Sequence, residues 1–111
     1  MTNVFEKIIA GELPAEKVFE NERIVAIKDI NPAAPIHLLI IPKKSIEGIH
    51  MIREEDLPLI GECVKVAQQL ADRYEISDGY RLLTNNGAKA GQTIFHLHFH
   101  LLGGRKLGVM G

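Results

Sequence analysis

The segment TIFHLHFHLL, residues 93–102, constrains the fold of this chain more than any other stretch. Histidine and large apolar residues alternate here, and successive side chains of a β-strand point to opposite faces. The pattern therefore predicts a strand with His96, His98 and His100 on one face. Because burying three imidazoles would require hydrogen-bonding partners that the composition hardly supplies, we expect that face to be open. The residues predicted to face the core are Phe95, Leu97, Phe99 and Leu101.

Elsewhere the hydrophobic pattern predicts two helices. Apolar residues recur at helical spacing from Asp56 to Tyr74, which indicates a long helix with one buried stripe. Asn3 followed by Glu6 is typical of a helix start, so a short helix is expected near the N-terminus. The predicted buried stripe of the long helix consists of Ile60, Cys63, Val64, Ala67, Leu70, Ala71 and Tyr74.

Four further segments have the length and composition of strands. A hairpin is predicted near residues 17–20 and 23–29, a buried strand over Ile36–Pro42, and another strand in GYRLLTN, residues 79–85. Together the segments predict an α+β domain with about five mostly antiparallel strands, one long helix and a short N-terminal helix. The length of 111 residues matches a single domain, residues 1–111.

Charge and cysteine content restrict the partners and the compartment. Thirteen basic and fourteen acidic residues give a formal charge of -1, so no global field favours nucleic acid or anionic lipid. We therefore expect small-molecule partners, with no nucleic acid and no membrane. The single cysteine, Cys63, excludes an internal disulfide and fits a reducing compartment, so a cytoplasmic location is expected. The N-terminal segment has neither the basic region nor the apolar run of an export signal.

Three interpretations of the histidine cluster compete. The residues are ordinary polar side chains on a half-exposed strand, or ligands of a metal ion, or catalytic groups. A zinc site is disfavoured because the α-carbons of His96 and His100 would lie about 13 Å apart in a strand, too far for both rings to converge on one ion. Neutral imidazole is a good nucleophile, and a covalent intermediate at phosphorus would divide one difficult displacement into two easier ones. The central residue, His98, is the natural nucleophile.

A catalytic site of this kind also needs donors for the phosphate. The loop NNGAKAGQT, residues 85–93, directly precedes the histidines and is rich in small residues, so its backbone N–H groups are candidate anion donors. Thr93 offers a hydroxyl as well. For Gly87 a tight turn is the favoured explanation, since turns use glycine for backbone reasons.

The residues GQTIFHLHFHLLGGR, 91–105, resemble the signature of the histidine triad family, in which three histidines alternate with apolar residues and two apolar residues follow. DINPAAPIHLLIIPKK (29–44), RLLTNNG (81–87) and FEKIIAGELPAEKVFE (5–20) are similar to other segments of its nucleotide-binding branch. The resemblance covers nearly the whole chain. It implies an α+β fold and an activity like that of the small hydrolases that cleave adenosine or guanosine 5′-phosphoramidates.

The resemblance also implies roles for individual residues. His98 would attack the α-phosphorus and carry the nucleotidyl group, with His96 and His100 as its flanking partners. His37 matches a further family histidine near the site, although it can equally be a satisfied residue of the sheet. Phosphate and ribose contacts would fall to Asn85, Gly91, Gln92 and Thr93, besides His98 and His100.

Asp29 and Ile30 match the positions that hold the nucleoside in that family. The carboxylate would accept hydrogen bonds from the ribose hydroxyls, and the isoleucine would pack on the base. For Asp29 a purely local role remains open, because an aspartate before a turn is commonly a cap. The interpretation requires no cofactor and no metal.

Several consequences of the resemblance are left open by the sequence. The family implies a two-fold dimer, which we expect to involve the 56–74 helix and the strand at 80–85. Two alternatives to phosphoramidate hydrolysis remain: cleavage or phosphorolysis of dinucleoside polyphosphates, and a non-catalytic purine nucleotide sensor or scaffold. The tail GRKLGVMG lacks the tryptophan and the Pro-Pro stretch found near the end of several relatives, so the leaving group stays undefined.

Overall fold

The computed structural model describes residues 2–111 and contains the five strands and two α-helices that the sequence predicts. Three short 3-10 turns connect them. The predicted α+β class is therefore confirmed. The elements are α1 (Val4–Ile9), β1 (Lys17–Glu20), β2 (Ile24–Lys28), β3 (Ile36–Pro42), α2 (Leu57–Arg73), β4 (Tyr80–Leu83) and β5 (Phe99–Gly103).

All five strands form one antiparallel sheet in the order β1-β2-β3-β5-β4. The C-terminal strand β5 lies between β3 and β4. In this register Leu39 is opposite His100 and His37 is opposite Leu102. His37 and His100 are therefore diagonal neighbours on one face of the sheet, within reach of each other.

Both faces of the sheet are covered. On one face α2 packs over the larger apolar cluster, which includes Leu38, Leu97 and Leu101. On the other face α1 packs through Phe5 and Ile8. This second cluster also contains Val25, Ile27, Leu39 and Ile41. Successive side chains of β2 and β3 point to opposite faces, so these two strands supply apolar side chains to both clusters, as expected for strands that are apolar throughout.

The buried stripe of α2 differs from the predicted one by a small rotation of the helix. Val64 is 41% exposed, whereas Leu59 and Val66, which the prediction omitted, are buried. The prediction was therefore wrong at these positions, because a helix with apolar residues on several sides lets more than one stripe satisfy the helical spacing. The residues of α2 that the structure buries are Leu59, Cys63, Val66, Ala67, Leu70 and Ala71.

The final strand is shorter than predicted. Residues 94–98 lie outside the sheet, and β5 begins only at Phe99. The pairing stops because β3 ends at Pro42, which has no N–H to continue the ladder. As a consequence Phe95 does not face the core as expected and is 49% exposed.

Within residues 2–111 we find no helix whose length and hydropathy would let it cross a membrane.

Candidate active site

The backbone just before β5 fixes the chemical form of the His98 ring. Its Nδ1 lies 2.7 Å from the carbonyl oxygen of His96, which can only accept, so Nδ1 carries the proton. In the neutral ring Nε2 then holds a lone pair, and Nε2 makes no hydrogen bond to residues 2–111. His98 is therefore held in the tautomer that a nucleophile requires.

His96 does not line the open face, so the expectation of three exposed imidazoles was wrong. Its side chain is 0% exposed. The ring obtains the partners that the composition was thought not to supply: Nε2 lies 2.7 Å from the carbonyl oxygen of Pro42, and Nδ1 lies 3.2 Å from Nδ2 of Asn3. His96 reaches His98 through its own backbone carbonyl rather than through its ring.

His37 and His100 form a hydrogen-bonded chain with a defined direction. The N–H of Ala33 donates to Nδ1 of His37 over 3.0 Å, so Nε2 of His37 carries the ring proton. That Nε2 donates to Nδ1 of His100 over 2.9 Å. His100 therefore bears its own proton on Nε2, where it is a donor. The His98 and His100 rings lie side by side, with centroids 5.1 Å apart, so a lone pair and an N–H donor are neighbours.

Thr84 completes the support of the nucleophile, and the sequence did not single it out. Its hydroxyl donates to the carbonyl oxygen of His98 over 2.7 Å. Thr84 follows the last residue of β4, opposite the point where β5 begins, so a side chain supplies the bond that a continuing ladder would have made. In the sequence, the only indication that Thr84 contributes to the site is its position near the end of the predicted 79–85 strand.

Phe5 was also not singled out as a site residue. It is the second residue of α1 and is buried against the triad, with its ring edge-on to His98 at a centroid distance of 4.9 Å. The apolar spacing of α1 predicts that Phe5 is buried, but not which side chains it contacts. Phe5 thus limits the rotation of the His98 ring and withdraws it from bulk water.

The three imidazoles around this point favour their neutral forms. Burial lowers the pKa of His98 below its ordinary value, despite the opposing hydrogen bond to the His96 carbonyl. Burial also lowers the pKa of His100 to about 4, with His98 and His37 adding to the effect. For His37 burial lowers the pKa and Asp29 opposes it. The site is therefore poised with uncharged rings at neutral pH.

The loop at 85–93 uses several of its backbone N–H groups for hydrogen bonds within the loop itself. The N–H groups of Ala90, Gly91 and Gln92 donate to carbonyl oxygens of Gly87 and Ala88, so the expectation that they face an anion was wrong. Gly87 and Gly91 adopt φ values of +89° and +99°, which only glycine adopts without strain. Tight turns therefore explain both glycines.

Gln92 is buried, and its side chain makes hydrogen bonds within and next to the same loop. Its Oε1 accepts from the N–H of Gly87 over 2.8 Å, and its Nε2 donates to the carbonyl oxygens of Glu47 and Ile94. Gln92 therefore braces the segment that leads into the triad. Thr93 is exposed, and neither its N–H nor its hydroxyl has a partner among residues 2–111. Thr93 therefore has two donors available next to the triad.

Asp29 and Ile30 lie beside the His37 end of the site. One carboxylate oxygen of Asp29 accepts from the N–H of Asn31 over 2.8 Å, a local turn contact, while the other lies 3.3 Å from Nε2 of His37. Ile30 is 91% exposed, which is unusual for an ordered isoleucine. Asn85 is half-buried next to Gly91. The structure thus places Asp29 next to the histidines, although 71 positions separate Asp29 from His100 in the chain.

Asp29, His37 and His100 also have the composition of a metal site. One ligand atom from each lies within 4.8 Å of the others. The direction of the hydrogen bonds argues for another use, because the Ala33 N–H occupies Nδ1 of His37 and so keeps the proton on Nε2, the atom that a metal would need. The cluster fits a proton-bearing hydrogen-bond chain better than a set of metal ligands.

The chain is similar to known proteins over most of its length. The family model of the HIT domain matches residues 10–107. A HIT-like protein from Chlamydia pneumoniae is 54% identical over 107 residues, which cover 96% of this chain and 97% of the relative.

Solved structures are similar over the same extent. A HIT family hydrolase from Clostridium thermocellum has a TM-score of 0.94 and 50% identity, and the match covers 98% of this chain and 96% of that one. A histidine triad nucleotide-binding protein from Candida albicans has a TM-score of 0.82 and 32% identity, with 99% and 84% covered.

Proposed function

Because this chain belongs to the HIT domain family, we propose that it hydrolyses purine nucleoside 5′-phosphoramidates through a covalent intermediate on His98. The observation that carries the proposal is the hydrogen bond from Nδ1 of His98 to the His96 carbonyl oxygen, which leaves the lone pair on Nε2. A ring fixed in this way can attack phosphorus without first losing a proton.

The reaction has two displacement steps. In the first, Nε2 of His98 forms a bond to the α-phosphorus while the bond from phosphorus to the amine nitrogen breaks, and the amine leaves with a proton from solvent. In the second, water attacks the same phosphorus, its proton passes to solvent, the bond from phosphorus to Nε2 breaks, and the nucleoside 5′-monophosphate departs. The net reaction consumes one water and requires no electron transfer.

His100 is the donor in this proposal. Its Nε2 proton is directed away from His37 by the hydrogen bond at Nδ1, and its ring lies next to that of His98. A neutral N–H at this position can donate a hydrogen bond to a phosphoryl oxygen or to the departing amine nitrogen, and so stabilise the charge that develops there. His37 acts on the reaction through His100, and His96 acts through its carbonyl.

The nucleotide is assigned to the groups around the triad that remain available. Ile30, with most of its side chain exposed, offers an apolar surface for the base, and the carboxylate of Asp29 offers acceptors for the ribose hydroxyls. Thr93 offers its N–H and hydroxyl to the phosphate, with Asn85 nearby. Gln92 and Gly91 contribute through the shape of the loop rather than by direct donation.

A homodimer is part of the proposal. The side chains of Leu57 and Val64 are exposed on the flank of α2 that faces away from the core, with the half-buried Ile60 between them at helical spacing. β4 is an edge strand of the sheet, and exposed edges in proteins are usually paired or covered. A two-fold contact that joins this flank and this edge would bury both.

The test compares substrates and traps the intermediate. Adenosine and guanosine 5′-phosphoramidates should be cleaved faster than a diadenosine polyphosphate, and rapid acid quench should recover a nucleotide bound to His98. His98→Ala should abolish turnover while the melting temperature changes little. A variant that retains the wild-type rate would remove the mechanism, and tight binding of adenosine monophosphate without any trapped nucleotide would favour a sensor.

A further inference from the structure

The residue that starts α1 is joined to the triad across almost the whole length of the chain. Asn3 caps the helix, since its Oδ1 accepts from the N–H of Glu6 over 2.8 Å and its own N–H donates to the Glu6 carboxylate over 3.0 Å. Its Nδ2 lies 3.2 Å from Nδ1 of His96, which is 93 positions away. One short side chain therefore serves both the helix and the triad.

The backbone determines the direction of every hydrogen bond in this connection. The N–H of Glu6 can only donate, so the oxygen of the Asn3 amide must face the helix and the nitrogen must face His96. Nδ1 of His96 then accepts, and Nε2 carries the proton that is donated to the Pro42 carbonyl oxygen over 2.7 Å. The His96 ring is thus clamped at both nitrogens in a single tautomer, in a fully buried position.

The two hydrogen bonds that hold the His96 ring also affect the position of the nucleophile, His98. The carbonyl oxygen that receives the Nδ1 proton of His98 belongs to His96, so any shift of residue 96 moves the acceptor that fixes the His98 tautomer. Phe5, two residues after Asn3, contacts the rings of both His96 and His98, with centroid distances of 6.0 and 4.9 Å. The start of α1 therefore sets the position of both residues.

We infer that Asn3 is a positioning residue for catalysis: its amide donor holds His96 in place, and His96 in turn holds His98 as an oriented nucleophile. The inference rests on the proposed function, because it assumes that His98 reacts. It extends that function to a residue outside the histidine segment, whose sequence pattern indicates nothing more than the start of a helix.

The test separates capping from donation at the same residue. Asn3→Asp keeps an oxygen for the N–H of Glu6, since aspartate caps helices as well as asparagine does, but it removes the donor to His96. Asn3→Ser likewise keeps a capping oxygen and adds no charge, so it serves if the aspartate variant folds poorly. For both variants we expect kcat to fall about tenfold with KM unchanged within about twofold, because the loss is one of orientation.

Asn21→Asp is the matched control. Asn21 also uses its Oδ1 to accept from backbone N–H groups, those of Arg23 and Ile24 in the β1–β2 turn, and it lies outside the site. The same amide-to-carboxylate change there should leave kcat unchanged. A fall in kcat for Asn3→Asp that is matched by Asn21→Asp would overturn the inference, as would a wild-type kcat in both Asn3 variants.

Nitrogen-15 NMR of the histidine rings provides a readout that does not depend on turnover. In the wild type, His96 should show a protonated Nε2 and an acceptor Nδ1, and His98 a protonated Nδ1. Asn3→Asp should move the pattern at His96 and broaden or shift the Nδ1 proton signal of His98. Unchanged ring signals would overturn the positioning role even if the wild type had no phosphoramidase activity, so the failure of the function and the failure of the inference remain distinguishable.

Discussion

Nε2 of His37 lies 2.9 Å from Nδ1 of His100, although the two residues are 63 positions apart in the chain. They meet because β3 and β5 are adjacent in the sheet and place them diagonally on one face. The N–H of Ala33 gives the pair its direction, since it occupies the other nitrogen of His37. A backbone amide in a loop thereby determines which nitrogen of a triad histidine is the donor.

Replacing His37 should weaken the donor rather than remove the nucleophile. His37→Phe keeps an aromatic ring but breaks the chain at both nitrogens, so the Nε2 donor of His100 is no longer fixed, and we expect kcat to fall by about a hundredfold with amines that are poor leaving groups. A weakly basic arylamine depends less on the hydrogen bond from His100 and should show a much smaller loss. A plot of log kcat against the pKa of the amine measures this, and equal slopes for variant and wild type would contradict it.

Thr84 should matter through its hydroxyl alone. Thr84→Val keeps the shape and removes the bond to the His98 carbonyl oxygen, which leaves a half-buried acceptor unpaired at a cost of about 1–3 kcal/mol. We expect lower thermal stability and a lower kcat, because the backbone of the nucleophile loses its anchor. Thr84→Ser restores the donor and should recover most of both. Calorimetry and steady-state kinetics on the pair check the prediction, which fails if valine and serine behave alike.

The sequence predicts the elements of this fold well where periodicity is long or capping is explicit. The Asn3 and Glu6 pattern correctly marks the start of α1, and the Asp56–Tyr74 stretch correctly marks α2. It predicts less well where the partner of a strand decides its length. β5 is cut short by Pro42 on the neighbouring strand, and the alternation of residues 94–98 continues although the pairing does not.

The candidate site could be predicted in its residue types but not in its contacts. The alternating histidines identify the segment, yet their spacing does not reveal that His96 is buried while His98 and His100 are partly open. That difference arises from Asn3 and Pro42, whose groups meet His96 only after the sheet and α1 have assembled. Long-range pairing of this kind leaves no local periodicity in the chain.

Acid should destabilise the fold in a defined pH window. The pKa of His100 is lowered from 6.5 to about 4, mainly by burial, and those of His37 and His98 are also lowered. Below pH 6.5 the unfolded chain binds protons at these residues that the folded chain does not, so the free energy of unfolding falls as the pH falls towards about 4. Above that window these groups should contribute no pH dependence.

Urea denaturation between pH 4 and 8 measures this effect. Of the three histidines His100 has the large pKa shift, so His100→Asn should flatten the decline between pH 6.5 and 4. His50→Asn removes an exposed imidazole from the 49–51 turn and serves as the control. A decline that is equally steep in the His100 variant and in the wild type would show that other groups cause it.

The flank of α2 should hold the proposed dimer together. Val64→Glu places a charge among the exposed apolar side chains of that flank, where burial against a second copy would leave the carboxylate without a partner at high cost. We expect the variant to sediment as a monomer of 12.3 kDa, half the mass of the wild type. Leu13→Glu makes a comparable change at an exposed apolar residue away from α2 and should sediment as the wild type does. A wild-type chain that is already monomeric at micromolar concentration would overturn the proposed dimer. A Val64 variant that remains dimeric would place the interface on another surface.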